Sequence, residues 1–133
     1  MPVKVIKQKV ILPGTPKDAF ELLMDEKKHA ALIGDTVSIN PKVGGTFATF
    51  SGYATGEFME IIPNKKIVQE WHAQDWPSEA ISLATFTFKA RGKGCELHFT
   101  QLGVPPRFTS EIARGWIDYY WKPMKRILAE KAK

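Results

Sequence analysis

The stretch that decides the fold is residues 103–133, GVPPRFTSEIARGWIDYYWKPMKRILAEKAK. Phe108, Ile112, Trp116, Tyr120 and Met124 recur at every fourth position, and Ile117, Trp121 and Leu128 widen them into a broad apolar face. That spacing places these side chains on one side of a helix of 3.6 residues per turn. Thr109 or Ser110 is expected to cap it, with Glu111 in the first turn beside the positive end of the dipole. Pro123 removes a backbone donor in mid-helix, which predicts a kink near Lys122. Gly115 is expected where the helix passes close to another backbone. A helix this aromatic needs a second layer to cover it.

The segment before it supplies that layer. From Thr46 to Val104 the sequence reads as strand after strand: Thr46 to Ser51, Tyr53 to Ile62, Lys66 to Ala73, Ala80 to Ala90 and Cys95 to Leu102. The links between them are short, which argues for an antiparallel meander rather than βαβ crossovers. Alternation assigns Ala84, Phe86 and Phe88, and Leu97, Phe99 and Gln101, to the core face. On the Lys66 to Ala73 strand, the side bearing Ile67, Gln69, Trp71 and Ala73 is taken as inward, because tryptophan gains most from burial.

Further upstream, residues 3 to 12 are rich in valine and isoleucine between lysines and predict a first strand. Thr15 with Pro16 starts a helix. Asp25 restarts a second, Glu26 to Ile33, closed by Gly34. A weak strand follows from Thr36 to Ile39, and Pro41 to Gly45 forms a turn. The class is α+β.

The whole chain is 133 residues, of which 44% are hydrophobic and 25% charged, and one domain spanning 1–133 is expected. There is one cysteine, Cys95, so no intramolecular disulfide forms, and a reducing, cytoplasmic setting is the simplest reading. No apolar run is long enough for a membrane span, and the start MPVKVIKQKVIL lacks the pattern of a signal peptide. The net charge of +5 is spread along the chain, without the basic stripe of a nucleic-acid module.

No cluster of residues spells out a reaction. His29, His72 and His98 have no metal-ligand spacing. There is no GxSxG elbow and no phosphate loop. Cys95 reads as a strand residue without an assignable base. Glu57 and Glu60 alternate onto opposite faces of their strand. No catalytic residue, metal site or cofactor is assigned.

The segments PKVGGTF (41–47), GEFMEIIPNKKIVQEW (56–71), WP (76–77), TQLGVP (100–105) and GWIDYYWKPMK (115–125) stand in an order that resembles the START-like (SRPBCC) superfamily. Within it the chain is similar to the homologues of the activator of the heat-shock-protein (HSP90-type) ATPase, specifically that two-domain activator's C-terminal domain. The likeness covers essentially the whole chain. His72 departs from it, standing where the family often has arginine. The resemblance implies a helix-grip fold: two short helices after the first strand, and an antiparallel sheet of about six or seven strands wrapped around the long C-terminal helix. It also implies a ligand site beneath that helix.

The candidate cavity residues are Trp71, Gln69, Phe86, Phe99, Gln101, Trp116, Tyr120 and Glu60. Two readings of the rings stay open, a packed core or a cavity walled by aromatics. Glu60 is either an inward-facing acid or the partner in a salt bridge or a turn-anchoring hydrogen bond. Three functions follow. The first is a non-enzymatic domain holding a hydrophobic small molecule. The second is a co-chaperone module that binds an HSP90-class chaperone and modulates its ATPase. The third is a cyclase-like or hydrolase-like enzyme using cavity acids.

Overall fold

The computed structural model describes residues 5–131. Seven strands form one antiparallel sheet: β1 (Val5–Leu12), β2 (Val37–Ile39), β3 (Thr46–Thr49), β4 (Ala54–Ile62), β5 (Lys66–Ala73), β6 (Ser82–Arg91) and β7 (Gly94–Leu102). Their order across the sheet is β1-β7-β6-β5-β4-β3-β2. The helices α1 (Pro16–Met24) and α2 (Glu26–Ile33) carry the chain from one sheet edge to the other. The last segment is a 3₁₀ turn (Pro106–Phe108), α3 (Thr109–Trp116), a π-helical turn (Ile117–Trp121) and α4 (Lys122–Lys131). This is the helix-grip fold, with the sheet's inner face closed over the C-terminal helix. Val3 and Lys4, the first two residues of the expected first strand, and the last two residues of the expected helix lie outside the described residues.

Local chemistry explains most boundaries. The Thr15 hydroxyl accepts from the Asp18 N–H and the Asp18 carboxylate accepts from the Thr15 N–H, both at 3.1 Å, with Pro16 at the first helical position. Asp25 caps α2 by accepting from the Lys28 N–H at 3.0 Å, and Gly34 at φ 68 ends it in the left-handed conformation. Lys131 donates to Asp18 at 2.8 Å and thereby pins the end of α4 to α1. That bond, helped by the Thr15 N–H, lowers the Asp18 carboxyl to about 2. Gly56 is required by close approach, since a Cβ there would sit 1.8 Å from the Glu70 carbonyl and 2.6 Å from the Phe47 ring.

The expected inner faces hold. Ile67, Trp71, Ala84, Phe86, Phe88, Leu97 and Phe99 are buried, while Thr85, Thr87 and Thr100 on the opposite face are partly exposed. The expected Thr46 to Ser51 strand is shorter, because Phe50 and Ser51 take positive φ (53 and 56) and turn the chain in a 3₁₀ loop.

The C-terminal helix differs from its expected form in three ways. Pro123 cannot donate to the carbonyl four residues back, and a tight turn would bring its ring against that group. A π turn absorbs it, with the Lys122 N–H bonding to the Ile117 carbonyl. The extra residue also rotates the face. Uninterrupted 3.6 periodicity would put Ile117 in the middle of the apolar stripe; instead it is 40% exposed, while Trp116, Tyr120, Trp121, Met124 and Leu128 are buried. Neither Thr109 nor Ser110 caps the helix, since the 3₁₀ turn at Pro106 leads directly into it and Phe108 occupies the cap position. Gly115 does not lie against another backbone, because a Cβ there would meet only the Tyr119 ring, at 3.9 Å.

Candidate functional site

Trp116 sits at the centre of the inner face. Its ring centroid lies 4.5 Å from Phe99, 4.6 Å from Tyr120, 5.6 Å from Phe86 and 6.0 Å from Trp71. These separations are those of aromatic pairs in contact. Its indole N–H donates to Gln101 Oε1 at 2.8 Å, Gln101 Nε2 donates to Ser82 Oγ at 2.9 Å, and Ser82 Oγ donates to the Trp71 carbonyl at 2.8 Å. This relay is buried, and it uses the Gln101 amide to fix the helix to the sheet rather than to face a guest. A second glutamine does similar work. Gln8 on β1 accepts from the Trp121 indole N–H at 2.6 Å and donates to the Ala113 carbonyl at 2.9 Å.

At the other side of Tyr120 lies His29. Its Nδ1 is 2.9 Å from the Leu23 carbonyl and its Nε2 is 2.8 Å from the Tyr120 hydroxyl. A carbonyl only accepts, so Nδ1 carries the proton, and the tyrosine O–H donates to Nε2. Burial pushes the His29 pKa down, opposed by the bond to Leu23, and burial likewise pushes the Tyr120 phenol far up. Both groups are therefore neutral near pH 7.

Between these two networks the space enclosed by helix and sheet has a volume of about 10 Å³. It is lined by His29, Thr49, Gln69, Trp71, Phe86, Trp116 and Tyr120 among others, and it has room for about one water molecule. The Thr49 hydroxyl is buried there without a hydrogen-bond partner. Trp71, Gln69, Phe86, Trp116 and Tyr120 thus meet in one place, and Phe99 stacks behind Trp116.

Glu60 is not among them. Its carboxylate points outward and pairs with Lys66 at 2.9 Å, both side chains being 40% exposed or more. The cause is a bulge between Phe58 and Glu60, where Met59 is an extra residue and the inner set Ala54, Gly56 and Phe58 continues at Ile61. Cys95 is fully buried and burial raises its thiol pKa, the opposite of an activated nucleophile. Among the described residues no group of three or more His, Cys, Asp or Glu side chains is placed to hold a metal ion.

On the outer flank of the same rings a cleft of about 330 Å³ opens to solvent. The Phe50–Gly52 turn, Tyr53, Asp75 and the residues Glu111, Ile112, Gly115 and Tyr119 form its walls, with Trp71, Trp116 and Tyr120 at the back. The Tyr53 hydroxyl donates to Asp75 at 3.1 Å. These rim residues lie on a loop, a turn and a helix far apart in sequence, so no spacing pattern connects them. His29 carried a weak signal, since it shares the apolar side of α2 with Leu32 and Ile33.

The sequence profile described as "Activator of Hsp90 ATPase homolog 1-like protein" matches residues 13–129. The chain belongs to this family. It is 25% identical over 135 aligned positions to the human "Activator of 90 kDa heat shock protein ATPase homolog 1", covering 98% of this chain and 40% of that protein. The Dictyostelium discoideum "Activator of 90 kDa heat shock protein ATPase homolog" is 27% identical, over 85% of this chain and 30% of its own length. The chain therefore spans two fifths or less of these relatives. Among solved structures, an HSP90 activator from Plasmodium falciparum superposes with a TM-score of 0.88 at 25% identity, covering 94% of this chain and 96% of that one. The solution structure of the Aha1 dimer from Colwellia psychrerythraea shares the fold, with a TM-score of 0.80 at 16% identity over 94% and 96% of the two chains.

Within this activator family fold, the outer sheet face is a second candidate surface. Strand register places Val5, Leu102 and Leu83 side by side in one row, all 41–48% exposed. The next rows along β1 bear Lys7 and Lys9. Among the described residues no helix is long and apolar enough to cross a membrane.

Proposed function

We propose that this chain is a protein-binding module that docks on an HSP90-class chaperone and modulates its ATPase. The observation that carries the reading is the surface row Val5–Leu102–Leu83 flanked by Lys7 and Lys9. Apolar side chains set side by side on an exposed sheet face, with Lys7 beyond them on β1 and Glu70 next to Leu83 on β5, suit a protein interface with a charged rim more than bulk solvent. The names of the relatives supply the partner class, as activators of the 90 kDa heat-shock protein ATPase. One helix-grip unit corresponding to part of those proteins is enough for docking on this reading, and how far it stimulates the ATPase alone is the quantity to measure.

A hydrophobic guest between helix and sheet has less support, because the enclosed space is about 10 Å³ and binding sites for such molecules are roughly 300 Å³ or larger. Enzymatic use of Glu60 has least, since that carboxylate is on the outer face.

The test is capture of the host's own HSP90-class chaperone by the chain with nucleotide present, together with chaperone ATPase rates. Binding is expected, and Leu83→Thr with Leu102→Thr is expected to weaken it about tenfold or more, which corresponds to about 1.4 kcal/mol, while the melting temperature stays close to wild type. Absence of capture, or capture indifferent to the double substitution, overturns the reading of this surface.

A further inference from the structure

We propose that the cleft between α3 and the Phe50–Gly52 turn is a binding site for a small aromatic molecule bearing a protonated amine. The site is separate from the sheet face and does not depend on the chaperone reading. Its volume, about 330 Å³, falls in the range of small-molecule pockets. Its walls offer ring faces and edges, with Phe50 against Tyr119 at 5.4 Å and against Tyr120 at 6.2 Å, and Trp116 behind them. Aromatic and cationic ligands both gain from such walls.

Charge selects between ligands. Among the described residues, Asp75 and Glu111 are the charged ones that line the cleft, and no lysine, arginine or histidine does. This is a local reversal in a chain of net charge +5. The Tyr53 hydroxyl, 3.1 Å from Asp75, holds that carboxylate at the wall. Burial first, then the bond to Asp75 and the fields of Asp75 and Glu111, raise the Tyr53 phenol to about 12, so the phenol stays neutral. A cationic nitrogen placed between them gains charge-assisted hydrogen bonds that a neutral or anionic molecule cannot make.

Gly115 leaves the floor open. A Cβ at that position would meet the Tyr119 ring only at 3.9 Å, so a side chain there starts without a clash on the wall of the cleft.

Three indoles whose two-carbon side chain ends in an ammonium, in no further group or in a carboxylate test this: tryptamine, 3-ethylindole and indole-3-propionate, titrated into the ¹⁵N-labelled chain at pH 7. Tryptamine is expected to shift the amides of Gly115, Tyr119 and Asp75 and to bind about tenfold more tightly than 3-ethylindole, with indole-3-propionate weakest. The Asp75→Asn, Glu111→Gln double variant is expected to lose the tenfold advantage of the amine while binding 3-ethylindole as before. Gly115→Leu is expected to abolish all three interactions without lowering the melting temperature, because leucine favours the helix more than glycine does. The proposal is overturned if tryptamine causes no shifts at these amides, if amine and anion bind equally, or if the double variant keeps the preference for the amine. It is also overturned if the double variant loses chaperone capture while wild type ignores tryptamine, since the carboxylates would then serve the protein partner.

Discussion

Trp71, Trp116 and Tyr120 have two sides, and the two sides have opposite characters. Inward, their rings border a space of about 10 Å³ on whose wall His29 and Tyr120 are bonded to each other, while Trp116 is tied to Gln101 behind it. Outward, they back a cleft of about 330 Å³ rimmed by two carboxylates and a tyrosine. The inner side is filled by packed rings and has room for about one water molecule, so a guest there would have to displace side chains. The outer side leaves its carboxylates facing solvent. Ring content alone therefore does not make a ligand site; what decides is whether the rings close on one another or leave open volume beside polar groups.

The largest test of that contrast truncates one ring on each side. Trp116 is 3% exposed and touches at least four other rings, so Trp116→Ala should cost about 3–5 kcal/mol in urea unfolding. Tyr119 is 55% exposed at the cleft mouth, and Tyr119→Ala should cost about 1 kcal/mol or less. Equal costs would mean that the inner space is not packed as described.

A smaller effect comes from His29. Its folded pKa lies below the unfolded value near 6.5, and desolvation is the main cause. The unfolded chain therefore binds more protons as pH falls, and stability drops from about pH 6.5 downward until the folded pKa is reached. Above that window His29 is neutral in both states and contributes no slope. His29→Gln should flatten this part of the stability–pH curve relative to wild type between pH 7 and 5. An unchanged slope would place the imidazole in water rather than against Tyr120.

Much of this architecture is legible in the sequence, for physical reasons that also explain what is not. Period-two alternation at Ala84–Phe86–Phe88 and Leu97–Phe99–Gln101 fixes faces because each strand has one buried side. Thr15, Pro16, Asp25 and Gly34 mark helix ends because capping is local chemistry. The convergence of Trp71, Phe86, Phe99, Trp116 and Tyr120 follows from those faces. What escaped are events that add a residue or join distant segments. The π turn before Pro123 turns Ile117 out of the apolar face. Positive φ at Phe50 and Ser51 has no signature in side chains of those types, yet it builds one wall of the cleft. Asp75 and Glu111 line one cleft only because a loop and a helix start lie near each other in the folded chain.

The smallest predicted effect concerns Glu60, which alternation from Phe58 would put on the inner side. Met59 is extra in the ladder, so Glu60 faces outward opposite Val68 and reaches Lys66 at 2.9 Å. With side chains 40% and 47% exposed, that pair is screened by water and contributes about 0.5 kcal/mol or less. Glu60→Gln should therefore leave the urea midpoint within about 0.5 kcal/mol of wild type and leave tryptamine binding untouched. An inward carboxylate would behave differently, because neutralising a buried acid changes stability by well over 1 kcal/mol and makes the difference strongly pH-dependent. The size of this one substitution thus reports which side of the sheet the strand presents after its bulge.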